Sequence, residues 1–285
     1  MRLLLSLFSI MTILASCQPA RTNEPALNPG LPIVLTNVAY GDDTAQRLDV
    51  YLPPNRGVQE TPVMILVHGG GWTGGNKSEF TAYIEDFRTR MPQYAFINVN
   101  YRLVNGSTVL LPEQQADIAS VLRFVRSNAA RYGVNGQKVV LLGASAGAHL
   151  ALLQAYREPD PGIRAVVDFF GPTDLVAMAE KPWHPLVPLA LQTVLGKTYG
   201  EDREAYRAAS PLWHVKPGAP PTLILQGGAD PVVHPAQSRA LADRLEGAGV
   251  PHELELYPSA RHGWQGATLQ RSFDTVQRFL ERHVR

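Results

Sequence analysis

From about residue 31 onward, short apolar runs alternate with segments of helical periodicity. Two of the runs, at residues 63–70 and 95–103, are apolar at successive positions, as is typical of strands buried on both faces of a parallel sheet. Further strands are predicted at residues 33–40, 47–53, 138–145, 164–172, 222–230 and 252–258. The alternation predicts an α/β fold with a mostly parallel central sheet and helices on both faces.

The segments between these runs have the spacing of amphipathic helices. The clearest helix is predicted within residues 112–133, where apolar residues recur at i, i+3, i+4 and i+7 before Gly133, a plausible stop. Crossover helices are predicted at residues 78–91 and from Ala146 through Tyr156. The run at 47–53 alternates apolar and polar residues, and we expect it to be a half-buried edge strand.

Residues 175–215 interrupt this rhythm. The segment contains apolar helical pieces, several prolines and two tryptophans, but no strand pattern. Long segments without strands in compact domains are often lids or binding loops, so we expect a small inserted cap at about 175–215. One long irregular connection is the alternative.

The N-terminal residues have the composition of an export signal. Arg2 is followed by an apolar run of about a dozen residues, which is too short for a membrane span. The end of this run, Leu-Ala-Ser-Cys17, resembles the bacterial lipobox, whose cysteine is acylated. We expect a lipoprotein signal peptide at residues 1–16, a lipidated Cys17 with a flexible tether over residues 17–30, and a folded domain at 31–285. This predicts an exported bacterial lipoprotein, membrane-anchored in the cell envelope; secretion with an incidental Cys17 is the alternative.

Composition and charge exclude several classes of protein. The chain has 26 Lys and Arg against 25 Asp and Glu and shows no basic stripe with interleaved aromatic residues, so nucleic acid is not an expected partner. Cys17 is the only cysteine, which excludes a disulfide framework or a Cys-based zinc site within one chain. We expect no cofactor and no metal.

The strongest chemical signal is a G-x-S-x-G pentapeptide centred on Ser145. An apolar strand precedes it and a helical segment follows it. A serine on a sharp turn between strand and helix is accessible to a base, and Gly143 and Gly147 permit the backbone that this turn requires. Ser145 is therefore the candidate nucleophile.

A glycine run far upstream predicts the donors for an oxyanion. The sequence HGGGW at residues 68–72 ends an apolar strand, and such a turn can present backbone N–H groups. We expect Gly70, Gly71 and Ala146 to form an oxyanion hole, with His68 fixing the loop through a hydrogen bond. An ordinary loop is the alternative; a phosphate-binding loop is a second one, but the spacing of the known glycine-rich phosphate motifs is missing.

The candidate base and acid follow later strands, in the order Ser, acid, His. His262 follows the last predicted strand and is the candidate base, and Asp230 follows the strand before it and is the candidate acid. Asp174 is a candidate helix cap. The other candidates are Asp168 and Asp174 for the acid and His149, His234, His252 and His283 for the base.

The motifs HGGGW, NYRL, GASAGAHL, GPTDL, GGADPVV and ARHGW together resemble the hormone-sensitive-lipase-like side of the α/β-hydrolase superfamily, and more narrowly the bacterial feruloyl-esterase-like group. The resemblance covers roughly residues 33–283 and implies the α/β-hydrolase fold. It also implies the roles already given for Ser145, Asp230, His262, Gly70, Gly71 and Ala146. Members are similar to carboxylesterases, acetylxylan and feruloyl esterases, and arylformamidases. One departure is Ala148, where many relatives carry a second glycine.

We therefore expect a serine carboxylic-ester hydrolase that acts through an acyl-enzyme on short-acyl, aryl or carbohydrate esters. An arylformamidase, amidase or peptidase-like hydrolase on the same fold is the alternative, and a non-catalytic binding module is a third hypothesis. Trp72, Trp183, His184 and Trp264 are candidate walls of the substrate pocket or ordinary packing aromatics.

Overall fold

The computed structural model describes residues 26–284, so the predicted signal peptide and Cys17 lie outside the described residues. Eight strands form one sheet in the order β1-β2-β4-β3-β5-β6-β7-β8. They are β1 (Ile33–Ala39), β2 (Arg47–Leu52), β3 (Val63–Val67), β4 (Ala95–Val99), β5 (Val139–Ala144), β6 (Ile163–Phe169), β7 (Thr222–Gly227) and β8 (His252–Tyr257). Neighbouring strands from β4 to β8 are parallel, as predicted, and β2 is antiparallel to β1 and to β4.

The prediction that residues 47–53 form an edge strand is wrong. β2 pairs on one side with β1 and on the other with β4, and β1 is the edge. The polar position Asp49 is buried rather than exposed, because its carboxylate accepts hydrogen bonds from the Lys77 ammonium at 2.8 Å and from the Asn37 N–H at 2.8 Å. Alternating polarity therefore marks an internal ion pair here.

Helices cover both faces of the sheet. In chain order they are α1 (Ser78–Thr81), α2 (Ile84–Arg90), α3 (Leu111–Ser127), α4 (Ala129–Tyr132), α5 (Ala146–Arg157), α6 (Leu175–Glu180), α7 (Val187–Leu195), α8 (Arg203–Ala208), a 3₁₀ helix (Pro211–His214), α9 (Ala236–Gly247) and α10 (Gly266–His283). The single crossover helix predicted at 78–91 is two short helices, α1 and α2. Gly133, in the left-handed conformation at φ +66°, ends α4 as expected.

Successive residues of the central strands point into two separate cores, as the two-residue period of a strand requires. On β3, Ile65 packs in the core beneath α3, α5 and α9, whereas Met64 and Leu66 pack in the core beneath α1, α2 and α10. All five residues of β3 are buried. The continuous apolar runs of the sequence are therefore strands that have a core on each face.

The segment between β6 and β7 contains α6, α7, α8 and the 3₁₀ helix and, in agreement with its pattern, no strand. Asp174 begins α6 by accepting hydrogen bonds from the N–H groups of Val176 and Ala177, both at 3.1 Å, as predicted. Asp202 begins α8 in the same way by accepting from the N–H of Ala205. Below, "the insert" denotes residues 175–215.

The first described residues are held against the domain. The N–H of Leu27 donates to the carbonyl of Arg131 at 2.9 Å, and the buried Arg56 guanidinium donates to the carbonyls of Asn28 and Leu31 at 2.8 and 2.6 Å. The end of the predicted tether, over residues 27–30, is thus fixed to the folded part. Within residues 26–284, every helix is too short or too polar to cross a membrane.

Candidate active site

Four strand ends build the site. The loop after β3 carries the glycine run, the turn after β5 carries Ser145, the loop after β7 carries Asp230, and the loop after β8 carries His262. Because β3, β5, β7 and β8 belong to one parallel sheet, their carboxyl ends lie at the same edge. Segments separated by almost two hundred residues therefore meet there.

Ser145 occupies a strained turn between β5 and α5. Its φ of +53° and ψ of −121° lie outside the regions that L residues usually adopt. A Cβ on Gly143 would overlap the backbone of Gly147, and a Cβ on Gly147 would overlap the carbonyl oxygens that end β3. Both positions of the pentapeptide thus require glycine because the turn packs directly on neighbouring backbone.

The three predicted residues form one hydrogen-bonded chain. His262 Nε2 lies 2.9 Å from Ser145 Oγ, and His262 Nδ1 lies 2.8 Å from Asp230 Oδ2. The ring of Phe170 packs edge-on against the imidazole, with centroids 4.7 Å apart. This geometry allows His262 to accept the hydroxyl proton while the carboxylate holds the other ring nitrogen.

The surroundings of Asp230 favour its ionised form. Burial alone would raise the pKa of this carboxyl, but hydrogen bonding and charge at His262, together with the N–H groups of Val232 and Val233, hold the pKa below its usual value. Those N–H groups donate to Oδ1 at 2.8 and 3.0 Å, and Gln226 Nε2 donates to Oδ2 at 3.1 Å. Asp230 is therefore a carboxylate that accepts four hydrogen bonds.

The glycine run adopts a left-handed path beside Ser145. Gly70, Gly71 and Trp72 have φ values of +106°, +58° and +63°. Among the hydrogen bonds of residues 26–284, the N–H groups of Gly70 and Gly71 have no acceptor. Ala146 is the first residue of α5, where an N–H has no partner within its own helix. All three predicted donors are therefore free for a ligand oxygen.

His68 fixes the start of this loop and is not a base. Its Nδ1–H donates to the carbonyl of Gly69 at 2.8 Å, and its ring stacks on Tyr101 with centroids 4.3 Å apart. The Tyr101 hydroxyl donates to the His68 carbonyl at 2.8 Å. Burial lowers the pKa of His68, so the ring is neutral at pH 7.

Polar residues of α3 fix the other end of the loop. Gln114 Nε2 donates to the Trp72 carbonyl at 2.7 Å and to the Arg102 carbonyl at 2.9 Å. Asp117 is fully buried and pairs with the Arg102 guanidinium at 2.6 Å. Sequence reasoning assigned no role to these residues. The sequence signal that could have identified Gln114 and Asp117 is that both are polar residues at positions next to the apolar face of α3.

The rival candidates occupy other positions. Asp168 is fully buried, its Oδ1 accepts from the Gly171 N–H at 2.7 Å, and burial raises its pKa to about 7. His149 is buried behind the nucleophile. Of the other three rival histidines, His234 lies just before α9 with its ring 6.2 Å from that of Trp183, His252 lies at the start of β8, and His283 lies at the end of α10.

An apolar cavity of about 450 Å³ opens at Ser145. Its lining is Gly71, Trp72, Ser145, Pro172, Met178, Trp183, His184, Leu186, Val187, Ala190, Leu191, Pro231, Val232 and Val233. The described lining residues include no Asp, Glu, Lys or Arg. Trp264, a candidate wall, instead packs on Phe169 and Tyr257 in the core beneath α10. Half of the lining comes from the insert.

The sheet order and the turn at Ser145 define an α/β-hydrolase fold. The BD-FAE family model matches residues 48–245, and the chain belongs to that family. Esterase LipQ of Mycobacterium tuberculosis is 31% identical over 252 residues, which are 83% of this chain and 59% of LipQ. Esterase LipC of the same organism is 28% identical, over 80% of this chain and 59% of LipC. The chain thus spans less than two thirds of these curated relatives.

Solved structures resemble the chain over most of its length. Thermogutta terrifontis esterase 2 is 26% identical with a TM-score of 0.71, covering 90% of this chain and 94% of that one. The same esterase phosphonylated by sarin superimposes with a TM-score of 0.74. A truncated carbohydrate esterase from gut microbiota, 24% identical with a TM-score of 0.74 over 91% of this chain and 99% of that one, shares the fold.

Proposed function

We propose that the protein is a serine carboxylic-ester hydrolase that acts through an acyl-enzyme. The observation that carries this proposal is the chain Ser145–His262–Asp230, with both hydrogen bonds within 2.9 Å, beside the unoccupied N–H groups of the glycine loop. Relatives named as esterases and the sarin adduct of a similar esterase support it.

In the first half of the reaction, His262 Nε2 takes the proton of Ser145 as Oγ attacks the ester carbonyl carbon. Negative charge develops on the carbonyl oxygen, where N–H groups of Gly70, Gly71 and Ala146 stabilise it. The tetrahedral intermediate collapses when His262 returns the proton to the departing alcohol. The serine ester that remains is the acyl-enzyme.

In the second half, His262 takes a proton from water as the water oxygen attacks the acyl carbonyl. Collapse of this intermediate breaks the bond to Oγ, returns the proton to Ser145 and releases the carboxylic acid. Asp230 remains ionised throughout, because it accepts four hydrogen bonds, and it keeps the imidazole in the tautomer with hydrogen on Nδ1.

The lining of the cavity supports uncharged apolar groups as its ligands. The lining is mostly apolar and its described residues include no charged side chain, so most hydroxyl groups of a sugar would lose their hydration there, with few polar groups such as the Trp183 indole N–H to replace it. We infer that a short acyl or aryl group occupies the cavity and that the carbohydrate part of any sugar ester lies outside it.

The test is hydrolysis of p-nitrophenyl acetate by the purified domain, with Ser145→Ala and, as a matched control, Ser120→Ala on the exposed side of α3. We expect activity in the native chain and the control and loss in Ser145→Ala. A serine-directed phosphonate should add the mass of one phosphonyl group per chain, located at Ser145. Full activity of Ser145→Ala refutes the proposal, and a faster rate on the corresponding aryl amide favours the amidase alternative.

We also propose that residues 1–16 are a lipoprotein signal peptide and that Cys17 carries the lipid anchor. The lipobox-like tetrapeptide that ends at Cys17 supports this. Expression of the full chain with a radiolabelled fatty acid should label the native protein and leave Cys17→Ser unlabelled. Equal labelling of both, or none in either, refutes the anchor.

A further inference from the structure

The reaction leaves one buried residue of the nucleophile helix unexplained. His149 lies four positions after Ser145 in α5 and is fully buried. Its Nδ1 lies 3.1 Å from the Trp72 indole nitrogen, and its Nε2 lies 2.8 Å from the carbonyl oxygen of Ala209. Its backbone N–H donates to the carbonyl of Ser145 at 3.0 Å. His149 is therefore hydrogen-bonded to the turn at Ser145, to the glycine loop (residues 68–72) and to the insert.

The partners of His149 determine its tautomer. A carbonyl oxygen only accepts, so Nε2 carries the hydrogen and donates to Ala209. Nδ1 then has a free lone pair, which accepts the hydrogen bond from the indole N–H of Trp72. Burial lowers the pKa of His149 to about 4, so the ring stays neutral and this arrangement persists at pH 7.

Trp72 needs this restraint because of its backbone. It directly follows Gly71 and has φ +63°, a conformation that bulky L residues rarely adopt. Its carbonyl is held by the Val104 N–H at 2.9 Å and by Gln114 Nε2 at 2.7 Å. Its side chain is held by His149 alone among the hydrogen bonds of residues 26–284. The Gly70 carbonyl oxygen, which is in the same peptide group as the Gly71 N–H, accepts from the Gly74 N–H at 2.9 Å, and the indole bond adds a side-chain restraint next to that peptide group.

We propose that His149 is a positioning residue that sets the oxyanion donors relative to Ser145 through its hydrogen bond to Trp72. The inference rests on the proposed function, because it presumes that Gly71 stabilises an oxyanion. His149 contacts no substrate, and its effect falls on kcat rather than on substrate binding.

Two variants separate the two ring nitrogens. His149→Asn keeps a carbonyl oxygen near the position of Nδ1 and loses the bond to Ala209, whereas His149→Gln keeps a donor near the position of Nε2 and loses the acceptor for Trp72. For p-nitrophenyl acetate we expect His149→Gln to lower kcat roughly 10- to 100-fold with KM within about twofold, since small misplacement of catalytic groups has effects of this size. His149→Asn should retain kcat within about threefold of the native value.

Trp72→Phe removes the indole N–H and keeps an aromatic ring, so it tests the same bond without changing α5. We expect a kcat loss similar to that of His149→Gln, and no further loss when the two are combined, because both remove one interaction. Circular dichroism and the thermal midpoint check that each variant is folded. If neither His149 variant folds, Trp72→Phe alone decides.

Native kcat in His149→Gln or in Trp72→Phe overturns the inference. So does an equal kcat loss in His149→Asn and His149→Gln, since the bond to Ala209 or simple packing would then account for it. A native protein without esterase activity, or an active Ser145→Ala, refutes the proposed function instead.

Discussion

Replacement of Asp230 by Asn tests how the acid controls His262. The carboxylate receives two backbone N–H groups on Oδ1, whereas Oδ2 faces His262 Nδ1 and Gln226 Nε2. An Asn amide that keeps its oxygen toward the backbone places its NH₂ group against His262 Nδ1. That nitrogen must then accept a hydrogen bond, which moves the imidazole hydrogen to Nε2, where it faces Ser145 and leaves no lone pair for the serine proton.

The flipped amide would restore the active tautomer but directs its NH₂ group at the N–H groups of Val232 and Val233. Leaving the buried Val233 N–H without an acceptor costs about 1–3 kcal/mol, and the partly buried Val232 N–H adds less because water can reach it. The inactive tautomer has only one poor contact, with Gln226, whose Nε2 also donates to the carbonyls of Gly227 and Val233 at 3.1 and 3.2 Å. The inactive tautomer is thus favoured, and the charge that stabilises the imidazolium is lost as well. We expect kcat to fall about 10³- to 10⁴-fold, as in triads of this type.

The assay is steady-state hydrolysis of p-nitrophenyl acetate at pH 8, with KM expected to change less than about threefold because the acid does not contact the acyl group. Asp168→Asn is the matched control. Asp168 is the other buried carboxyl close to the nucleophile strand, it binds only the Gly171 N–H through Oδ1, and Asn keeps that acceptor. A loss in Asp168→Asn as large as in Asp230→Asn, or near-native kcat in Asp230→Asn, would show that the acid is assigned wrongly.

Three further predictions address packing, stability and the pocket. Gly147→Ala places a methyl group on backbone carbonyls, so we expect at least about 1–3 kcal/mol lower unfolding free energy and lost activity, whereas Gly247→Ala, with no neighbour within 4 Å, should lose neither. Burial raises the pKa of Asp168 to about 7, so between about pH 4 and 7 the folded state holds a proton that the unfolded chain releases, and the free energy of urea unfolding should fall over that range. Asp168→Asn should remove this decline, which is worth about 4 kcal/mol; an unchanged pH profile in the variant would contradict the prediction. Leu186→Asp puts a charge on the cavity rim and should lower kcat/KM for p-nitrophenyl butyrate roughly tenfold. The control Leu189→Asp changes a similarly exposed leucine of α7 outside the lining and should leave kcat/KM within about twofold of the native value; equal effects of the two variants would exclude this rim as a substrate contact.

The sequence predicted the strands and the chain Ser145–His262–Asp230 because both depend on local signals and one topological rule. Apolar runs identify strands, and loops that follow parallel strands meet at one edge of the sheet. To predict His262 over His252, it was enough to know which end of a strand each residue occupies. No knowledge of side-chain packing was needed.

Features that depend on contacts between distant segments were not predictable in this way. The alternation of apolar and polar residues in β2 predicted an edge strand. The prediction was wrong because Asp49 is paired with Lys77, and the local sequence does not show this pairing. Trp183 and Trp264 were equal candidates for the pocket wall from the sequence, yet Trp183 lines the cavity and Trp264 packs beneath α10. Gln114 was missed because its partner, the Trp72 carbonyl, lies on a loop 42 residues earlier.

The groups proposed to carry out the reaction and the residues that line the cavity come largely from different parts of the chain. The proposed nucleophile, base, acid and oxyanion donors all follow strands of the sheet, where buried apolar residues on both faces restrict movement. Half of the cavity wall comes from the insert. In its helix α7, Leu191 and Val194 are buried in the core, whereas the exposed positions can vary in sequence without disturbing that core. The carbonyl of Ala209 is an exception, because it holds the imidazole of His149 behind the oxyanion loop. Substitutions in α7 should therefore alter which ester binds, whereas a displaced Ala209 alters how fast any ester reacts.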